Sequence, residues 1–221
     1  GAENTVACEM TKWFNTNYHY IVPEFENQRL HLTENRLLAW FTEAKEELGL
    51  ITKPTLIGPY TFMKLTKGYE QTGLQSFASE LLPLYIQVIK ELASAGAEWI
   101  QLEEPSLVST IPQEDIALVK DMYKKLKAAV PEIKVMLQTY FEALSSYKEV
   151  TQLPVDGIGL DFVHGHAENI ASIRDCGFPS EKTLGIGILN GRDIWRADTA
   201  ELAESVREIV QLTGAKNYWI Q

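Results

Sequence analysis

The sequence predicts an α/β protein: an incomplete (β/α)8 barrel of the TIM type with about seven of its eight strands. Three observations favour this fold. Predicted strands and helices alternate along the 221 residues, the strands are short and continuously apolar like buried parallel strands, and polar residues follow nearly every strand. The predicted strands end near Cys8, Gly58, Glu103, Gln138, Asp161, Leu189 and Gln221.

Seven predicted strands suggest a barrel that lacks one strand and its flanking helices. Right-handed connections between strand and helix make such a sheet parallel, and complete barrels take about 250 residues. An open, doubly wound sheet is the alternative, but that fold concentrates its functional residues at one switch point. Polar residues after almost every strand favour the barrel, and since no linker or repeat divides the chain, residues 1–221 are expected to form a single domain.

The helices are predicted from apolar spacing and from the residues that begin and end them. A helix beginning at Thr33 carries apolar residues at intervals of four, three and four. Residues 60–73 are predicted to be irregular, and the long helix after them is expected to kink or split at Pro83. Residues 141–150 are expected to form a short helix, and Asp198 is expected to cap the last one.

The composition argues against several classes of protein. The chain has 20 Lys and Arg against 30 Asp and Glu, and its net charge of −10 argues against binding to nucleic acid or to anionic membrane. There is no apolar run of about 18 residues and no signal-like start, and Cys8 and Cys176 are isolated from each other. We therefore expect a reduced, cytoplasmic protein with no nucleic-acid or membrane partner.

The stretch from Cys8 to Tyr20 is too polar for a core and too aromatic for an ordinary loop. It follows a predicted strand end, the place where barrel enzymes bind substrate. Lys12 is its only full cation, with Trp13, Tyr18 and Tyr20 as flat surfaces nearby. The pattern indicates an anion-binding lysine, and a surface lysine beside a hydrophobic plug is the alternative.

A barrel would bring the polar residues at its strand ends onto one rim. Two of these residues, Glu103 and Glu104, could form an acid/base pair. Adjacent strand residues point to opposite faces, so at most one of the two faces the centre of the barrel. The predicted rim residues are Lys12, Asn17, His19, Glu103, Glu104, Thr139, Asp161, His164, Asn190, Arg192 and Asp193.

One group of residues after the strand that ends at Asp161 is similar to a metal site. Asp161, His164 and His166 could serve a metal-dependent hydrolase, which needs three ligands and an open position. Their spacing is not a specific signature, and a solvated loop histidine at position 166 is the favoured reading.

Five motifs are similar to a known family, in its order and over the whole chain. The chain resembles the amino-terminal barrel of cobalamin-independent methionine synthase. The motifs are EMTKWFNTNYHY at residues 9–20, IQLEEP at 100–105, TYFE at 139–142, LDFVHG at 160–165 and LNGRDIWRAD at 189–198.

The resemblance implies a methyl transfer from 5-methyltetrahydropteroyltri-L-glutamate to L-homocysteine, with zinc activating the thiol. It implies two face-to-face barrels, of which the carboxyl-terminal one carries zinc and homocysteine and the amino-terminal one helps hold the folate. Lys12 matches the lysine implied to contact the folate, whose polyglutamate tail is a run of carboxylates. The partners implied are this folate and the enzyme's own carboxyl-terminal barrel.

The resemblance also implies that this chain is a fragment, without the family's first strand and without its catalytic half. We therefore expect no methyl transfer by the chain alone, and a purely structural barrel that supports the other half is the alternative. An alignment of the halves puts residues 137–139 and Asp161 where the other half has zinc ligands, without a cysteine, so we expect no metal or other cofactor here. Residues 103–105 are similar to that half's Asp-Glu-Pro and are expected to shape the rim.

Overall fold

The structure, a computed structural model, describes residues 8–25 and 29–221 of the chain. Its first element is an antiparallel hairpin of two strands, β1 (Met10–Lys12) and β2 (His19–Ile21), within the stretch predicted to be a substrate loop. The turn is closed by the Trp13 backbone N–H, which donates to the Tyr18 carbonyl oxygen at 2.7 Å. The strand predicted to end near Cys8 lies mostly outside the described residues.

The fold is organised around one parallel sheet of six strands, whose order in space is the order along the chain. This confirms the predicted α/β class with an incomplete barrel, since β3 and β8 each pair with one neighbour within residues 8–25 and 29–221. The strands are β3 Thr55–Ile57, β4 Trp99–Glu103, β5 Lys134–Gln138, β6 Gly157–Asp161, β7 Thr183–Gly187 and β8 Asn217–Ile220.

Helices connect the strands, and their outer faces are solvated. No helix in the described part of the chain is long and apolar enough to cross a membrane. The helices are α1 Arg36–Glu46, α2 Pro59–Leu65, α3 Leu74–Ser94, α4 Gln113–Ala129, α5 Tyr147–Thr151, α6 His166–Cys176 and α7 Thr199–Thr213, with 3-10 turns at Tyr69–Gln71 and Pro105–Val108.

Two helix starts show how local chemistry sets the boundaries. The Asp198 carboxylate accepts hydrogen bonds from the backbone N–H groups of Ala200 and Glu201, so the predicted cap of the last helix is confirmed. The first helix begins at Arg36 and not at Thr33, because Asn35 is the residue whose side chain caps it, accepting from the Leu38 N–H.

Three local predictions need correction. Helix α3 continues through Pro83 as 21 residues, so the helix is not split there. Proline leaves the Ser79 carbonyl oxygen without its usual N–H donor, and Ser79 is exposed to water. The stretch 60–73 contains α2 and a 3-10 turn and is not irregular throughout. The helix expected over 141–150 is confined to Tyr147–Thr151.

The core lies mainly between the sheet and the helices. In β4 the outward-facing Ile100 and Leu102 are fully buried beneath α3 and α4, whereas the inward-facing residues are less buried. The inward side is polar, because Lys53 is hydrogen-bonded to Gln101, which donates to the Glu103 carboxylate at 3.2 Å. The Tyr140 hydroxyl donates to the same carboxylate at 3.0 Å, so Glu103 faces the barrel interior.

Its neighbour Glu104 faces the other way and is completely buried. The Glu104 carboxylate accepts hydrogen bonds from the N–H groups of Tyr60 and Thr61 at 3.1 and 2.7 Å and from the Tyr123 hydroxyl at 2.9 Å. It therefore fixes the start of α2 to the end of β4 and to α4. Loss of solvation raises the pKa of Glu104 to about 6, although these hydrogen bonds act to lower it.

Gly58 makes room for this carboxylate. A Cβ atom at position 58 would lie 2.2–2.5 Å from Glu104 side-chain atoms, whereas one at Gly191 would meet nothing within 4 Å. We predict that Gly58→Ala lowers the free energy of unfolding by about 1–3 kcal/mol, the usual cost of overpacking. Gly191→Ala is the matched control and should change it by less than about 0.5 kcal/mol. Urea unfolding of both variants measures this, and equal stabilities would contradict the packing argument.

The raised pKa of Glu104 predicts a pH dependence of stability. The folded state takes up the proton near pH 6 and the unfolded state near the ordinary value of 4.5, so this contribution to stability is complete below pH 4.5 and is lost as the pH rises through 6. Relative to Glu104→Gln, the wild type should lose about 2 kcal/mol between pH 4.5 and pH 7. Urea unfolding across this range measures the difference, and parallel profiles for the two proteins would refute it.

Among residues 8–25 and 29–221, β3 and β8 are the edge strands of the sheet. Edge strands present unpaired backbone groups, so we predict self-association or marginal stability. We expect the mass from light scattering to rise with concentration. Ile220→Lys, which adds a charge to an exposed position of β8, should reduce this rise. A heat-resistant monomer at every concentration would count against the prediction.

Candidate functional site

A cavity of about 410 Å³ opens at the carboxyl ends of β5 to β8, under the turn of the β1–β2 hairpin. Parallel strands end at the same edge of a sheet, which brings residues far apart in sequence together. Five of the predicted rim residues line this cavity: Thr139, Asp161, His164, Asn190 and Arg192.

Aromatic rings form the walls of the cavity. Trp13 and Tyr18 come from the hairpin, and Tyr140 and Phe141 follow β5. The ring centroids of Tyr140 and Phe141 are 4.6 Å apart, edge to face. Such walls favour a flat, apolar ligand group.

Arg192 closes the cavity on one side. Its guanidinium donates to the Asn15 side-chain oxygen at 2.6 Å and lies 4.8 Å from the centroid of the Phe141 ring. The arginine therefore joins the loop after β7 to the hairpin turn, and it places a positive charge at the cavity mouth. The Asn190 side-chain oxygen supports this loop by accepting from the Arg192 backbone N–H at 3.0 Å.

Asp161 organises the loops at the base of the site. Its carboxylate, almost entirely buried, accepts hydrogen bonds from the backbone N–H groups of Phe141, Val163 and His164 at 2.7–2.8 Å. The bond to Phe141 helps hold that residue at a positive φ of 85°, which aims its ring at the cavity. Asp161 thus positions the site through the backbone.

The residues do not fit a metal centre. Within the described ranges, no group of three His, Cys, Asp or Glu residues is placed to hold a metal ion. His164 is exposed, while the His166 Nδ1 atom lies 3.3 Å from the Phe162 carbonyl oxygen. The geometry therefore gives no support to the hydrolase alternative built on these histidines and Asp161.

The other predicted site residues lie around the cavity or below it. Lys12, Asn17 and His19 are exposed on the hairpin, with Lys12 opposite His19 in the strand register. Glu103 lies deeper, in the barrel interior, where its carboxylate accepts a hydrogen bond from the hydroxyl of Tyr140, a residue that lines the cavity. Glu104 and Asp193 also lie off the cavity wall: Glu104 is part of the core, and Asp193 accepts a hydrogen bond from the Asn190 side chain.

The cavity residues that sequence reasoning missed include four with large polar or aromatic side chains: Gln138, Tyr140, Phe141 and Gln221. The sequence did carry a signal for Gln138, because it is a polar residue directly after three apolar strand residues. In the structure it pairs in register with Glu103. Phe141 gave no such signal, since its direction depends on the hydrogen bond that its backbone N–H donates to the Asp161 carboxylate.

The comparisons with known proteins agree with this architecture. Residues 1–214 match the family model described as the cobalamin-independent synthase, N-terminal domain. A 5-methyltetrahydropteroyltriglutamate–homocysteine methyltransferase from Halalkalibacterium halodurans is 52% identical over 211 residues, 96% of this chain. The relative of the same name from Bacillus licheniformis is 46% identical over the whole chain. The chain spans 28% and 29% of the lengths of these two relatives.

Solved structures share the fold. A B12-independent methionine synthase from Shewanella sp. W3-18-1, in complex with selenomethionine, superposes with a TM-score of 0.65 at 17% identity, covering 83% of this chain and 58% of that one. A methyltransferase from Methanosarcina mazei gives 0.64 at 12% identity, with 83% and 57% covered. At these identities the likeness concerns the fold alone, whereas the family match covers nearly the whole sequence. The chain therefore belongs to the family of the cobalamin-independent synthase N-terminal domain.

Proposed function

We propose that this domain is the folate-holding half of an enzyme that transfers a methyl group from 5-methyltetrahydropteroyltri-L-glutamate to L-homocysteine. The observation that carries the proposal is an aromatic cavity lined on one side by the cation Arg192, on the rim where barrels bind ligands. The names of the relatives supply the reaction and the substrates.

The cations suit the tail of such a ligand. Each glutamate of a triglutamate tail adds a carboxylate, and guanidinium and ammonium groups are the side chains that pair with carboxylates. Arg192 stands at the cavity mouth, and Lys12 lies on the hairpin next to Trp13, which lines the cavity. None of the ion pairs within the described ranges uses Lys12, so its ammonium is available to a carboxylate of the ligand.

The role of the described residues in this proposal is binding and orientation. The carboxylate that lines the cavity, Asp161, already accepts three backbone hydrogen bonds, which suits it to positioning more than to proton transfer. The aromatic walls exclude water around the ligand, and the hairpin and the loop after β7 hold it between them. The structure thus supports no acid/base step on this rim.

Activation of the thiol is assigned in this proposal to zinc in a carboxyl-terminal barrel outside this chain. The surface that would face that partner is the loop after β7, where the side chains of Ile194 and Trp195 are 89% and 77% exposed. Large exposed apolar side chains beside a ligand site are typical of an interface. We place the enzyme in the cytoplasm, where reduced thiols such as homocysteine persist.

The proposal predicts that Lys12→Ala weakens the binding of 5-methyltetrahydropteroyltriglutamate about two- to fivefold, the usual value of one exposed charge pair. The effect should shrink with a monoglutamate ligand and at high salt, because fewer carboxylates reach the lysine and salt screens the pair. Calorimetric titration of the 221-residue chain with both ligands measures this.

Lys90→Ala is the matched control, because it removes the same charge from an exposed position on α3, away from the cavity. It should leave both affinities unchanged. Binding that depends neither on Lys12 nor on the tail length would contradict the proposed tail contact. Complete absence of binding would favour the alternative of a barrel that only supports its partner.

A further inference from the structure

A second cavity lies at the opposite end of the sheet from the candidate functional site. Its volume is about 830 Å³, and its lining includes the first residues of β4, β5, β7 and β8, which are Trp99, Lys134, Thr183 and Asn217. The aromatic cavity lies at the carboxyl ends of the strands and shares no lining residue with this one. The amino-end cavity is therefore a separate feature of the chain.

Lys182 brings a buried ammonium group to the amino-end cavity. The residue lines the cavity and is 8% exposed. Its Nζ donates hydrogen bonds to the backbone carbonyl oxygens of Thr151 and Leu153, which are neutral acceptors. None of the ion pairs among residues 8–25 and 29–221 involves Lys182. An ammonium has a third N–H to donate, and a buried charge without an ionic partner is costly.

The charges of the lining leave an excess of one positive charge, because three lysines stand against two carboxylates. Lys127 is paired with Asp156, whose Oδ2 lies 2.8 Å from the lysine Nζ. Lys134 and Lys182 are left with the single carboxylate of Glu181. The sign of this excess is opposite to that of the whole chain, whose net charge is −10. A ligand with one negative charge would balance it.

Tryptophans form one wall of the cavity. The ring centroids of Trp99 and Trp219 are 4.6 Å apart, edge to face. The Lys134 Nζ lies 5.5 Å from the centroid of the Trp99 ring, a cation–π contact that holds the ammonium at this wall. Leu153 and Val155 add apolar surface to the lining. The wall therefore suits a flat, apolar body, and the lysines suit an anionic group attached to it.

We propose that the amino-end cavity binds a small aromatic carboxylate. The carboxylate accepts a hydrogen bond from Lys182 and is attracted by Lys134, and the aromatic ring packs against the indole rings of Trp99 and Trp219. A carboxylate carries one negative charge, which matches the excess of the lining. The inference does not rest on the proposed function, because it uses no residue of the opposite rim.

The buried ammonium gives this site a characteristic pH dependence. Burial lowers the pKa of Lys182 to about 8, whereas the carboxylates of Glu181 and of Asp156, which Lys127 pairs, act to raise it. Lys182 carries its charge below this pH and loses it above, so the affinity for a carboxylate should decrease as the pH rises from about 7 to about 9. Lysines with the ordinary pKa of 10.5 would cause no such decrease.

The test compares benzoate with benzamide, which has nearly the same shape and no charge. NMR follows the indole N–H signals of the 15N-labelled 221-residue chain, assigned by replacing each tryptophan with phenylalanine. Benzoate should shift the signals of Trp99 and Trp219, while Trp13 reports separately on the aromatic cavity. Benzoate should bind about tenfold more tightly than benzamide, the value of one hydrogen bond between charged groups. This comparison needs no lysine variant, so it holds even where a substitution disturbs folding.

Lys182→Met keeps a long, unbranched side chain and removes its charge. It should weaken benzoate binding about tenfold, leave benzamide binding unchanged and abolish the pH dependence. Lys120→Met is the matched control, because Lys120 occupies an exposed position on α4 that does not line the cavity. It should retain the preference for benzoate and its pH dependence. Far-ultraviolet circular dichroism checks the fold of both variants.

Lys134→Met tests the second cation of the site. Lys134 is exposed, so its replacement leaves the core intact. It should weaken benzoate binding about two- to fivefold, the usual value of one exposed charge pair. This variant remains informative even where Lys182→Met does not fold.

Equal affinities for benzoate and benzamide, or shifts confined to the Trp13 signal, would overturn the inference. Unchanged benzoate binding by a folded Lys182→Met variant would also overturn it, as would an affinity that stays constant as the pH rises through 8. None of these results bears on the folate proposal, since Lys12 and Arg192 lie outside the amino-end cavity.

Discussion

The structure depends on one constraint: a strand that ends in a buried carboxylate must find hydrogen-bond donors in the neighbouring connections. Glu104, just after β4, meets this by accepting from two backbone N–H groups of α2 and from the Tyr123 hydroxyl. Asp161, at the end of β6, accepts from Phe141, Val163 and His164. In each case the buried carboxylate loses its hydrogen bonds to water and accepts hydrogen bonds from protein donors instead. Those donors lie in connecting segments that are not part of the sheet. Hydrogen bonds from backbone N–H groups to these two carboxylates therefore stabilise the connections at the carboxyl ends of β4 and β6.

This use of the carboxylates determines the character of the site. From the sequence, Glu104 is a candidate for proton transfer and Asp161 for metal binding. In the structure their carboxylates accept hydrogen bonds from the connecting segments and fix the positions of those segments. The cavity is left with aromatic walls and with one cation, Arg192, in its lining. Such a lining suits the binding and orientation of a ligand, which is the role proposed for it above. The chain belongs to the family of the N-terminal domain and spans 28% and 29% of the lengths of the two relatives.

Much of the site could be anticipated from sequence because parallel strands bring their ends to one edge. Thr139, Asp161, His164, Asn190 and Arg192 follow different strands, and all five line the cavity. The direction of each side chain could not be anticipated in the same way. Glu104 carries the same charge as Glu103 and stands beside it, yet the alternation of the strand sends it into the core. Phe141 contacts the cavity through a positive φ that depends on a carboxylate 20 residues later.

The sequence by itself determined the α/β class, the parallel order of the strands, the cap at Asp198 and the family, since each depends on local periodicity, local hydrogen bonding or contiguous motifs. Tertiary structure decided the rest. Helix α2 forms where the local sequence indicated an irregular segment, because Glu104, more than 40 residues away, accepts from its first N–H groups. The hairpin lies over the cavity because Arg192 donates to Asn15 across 177 residues of chain. Contacts between residues so distant in sequence leave no periodic trace in the chain, and they become visible only when the sheet has brought its strand ends together.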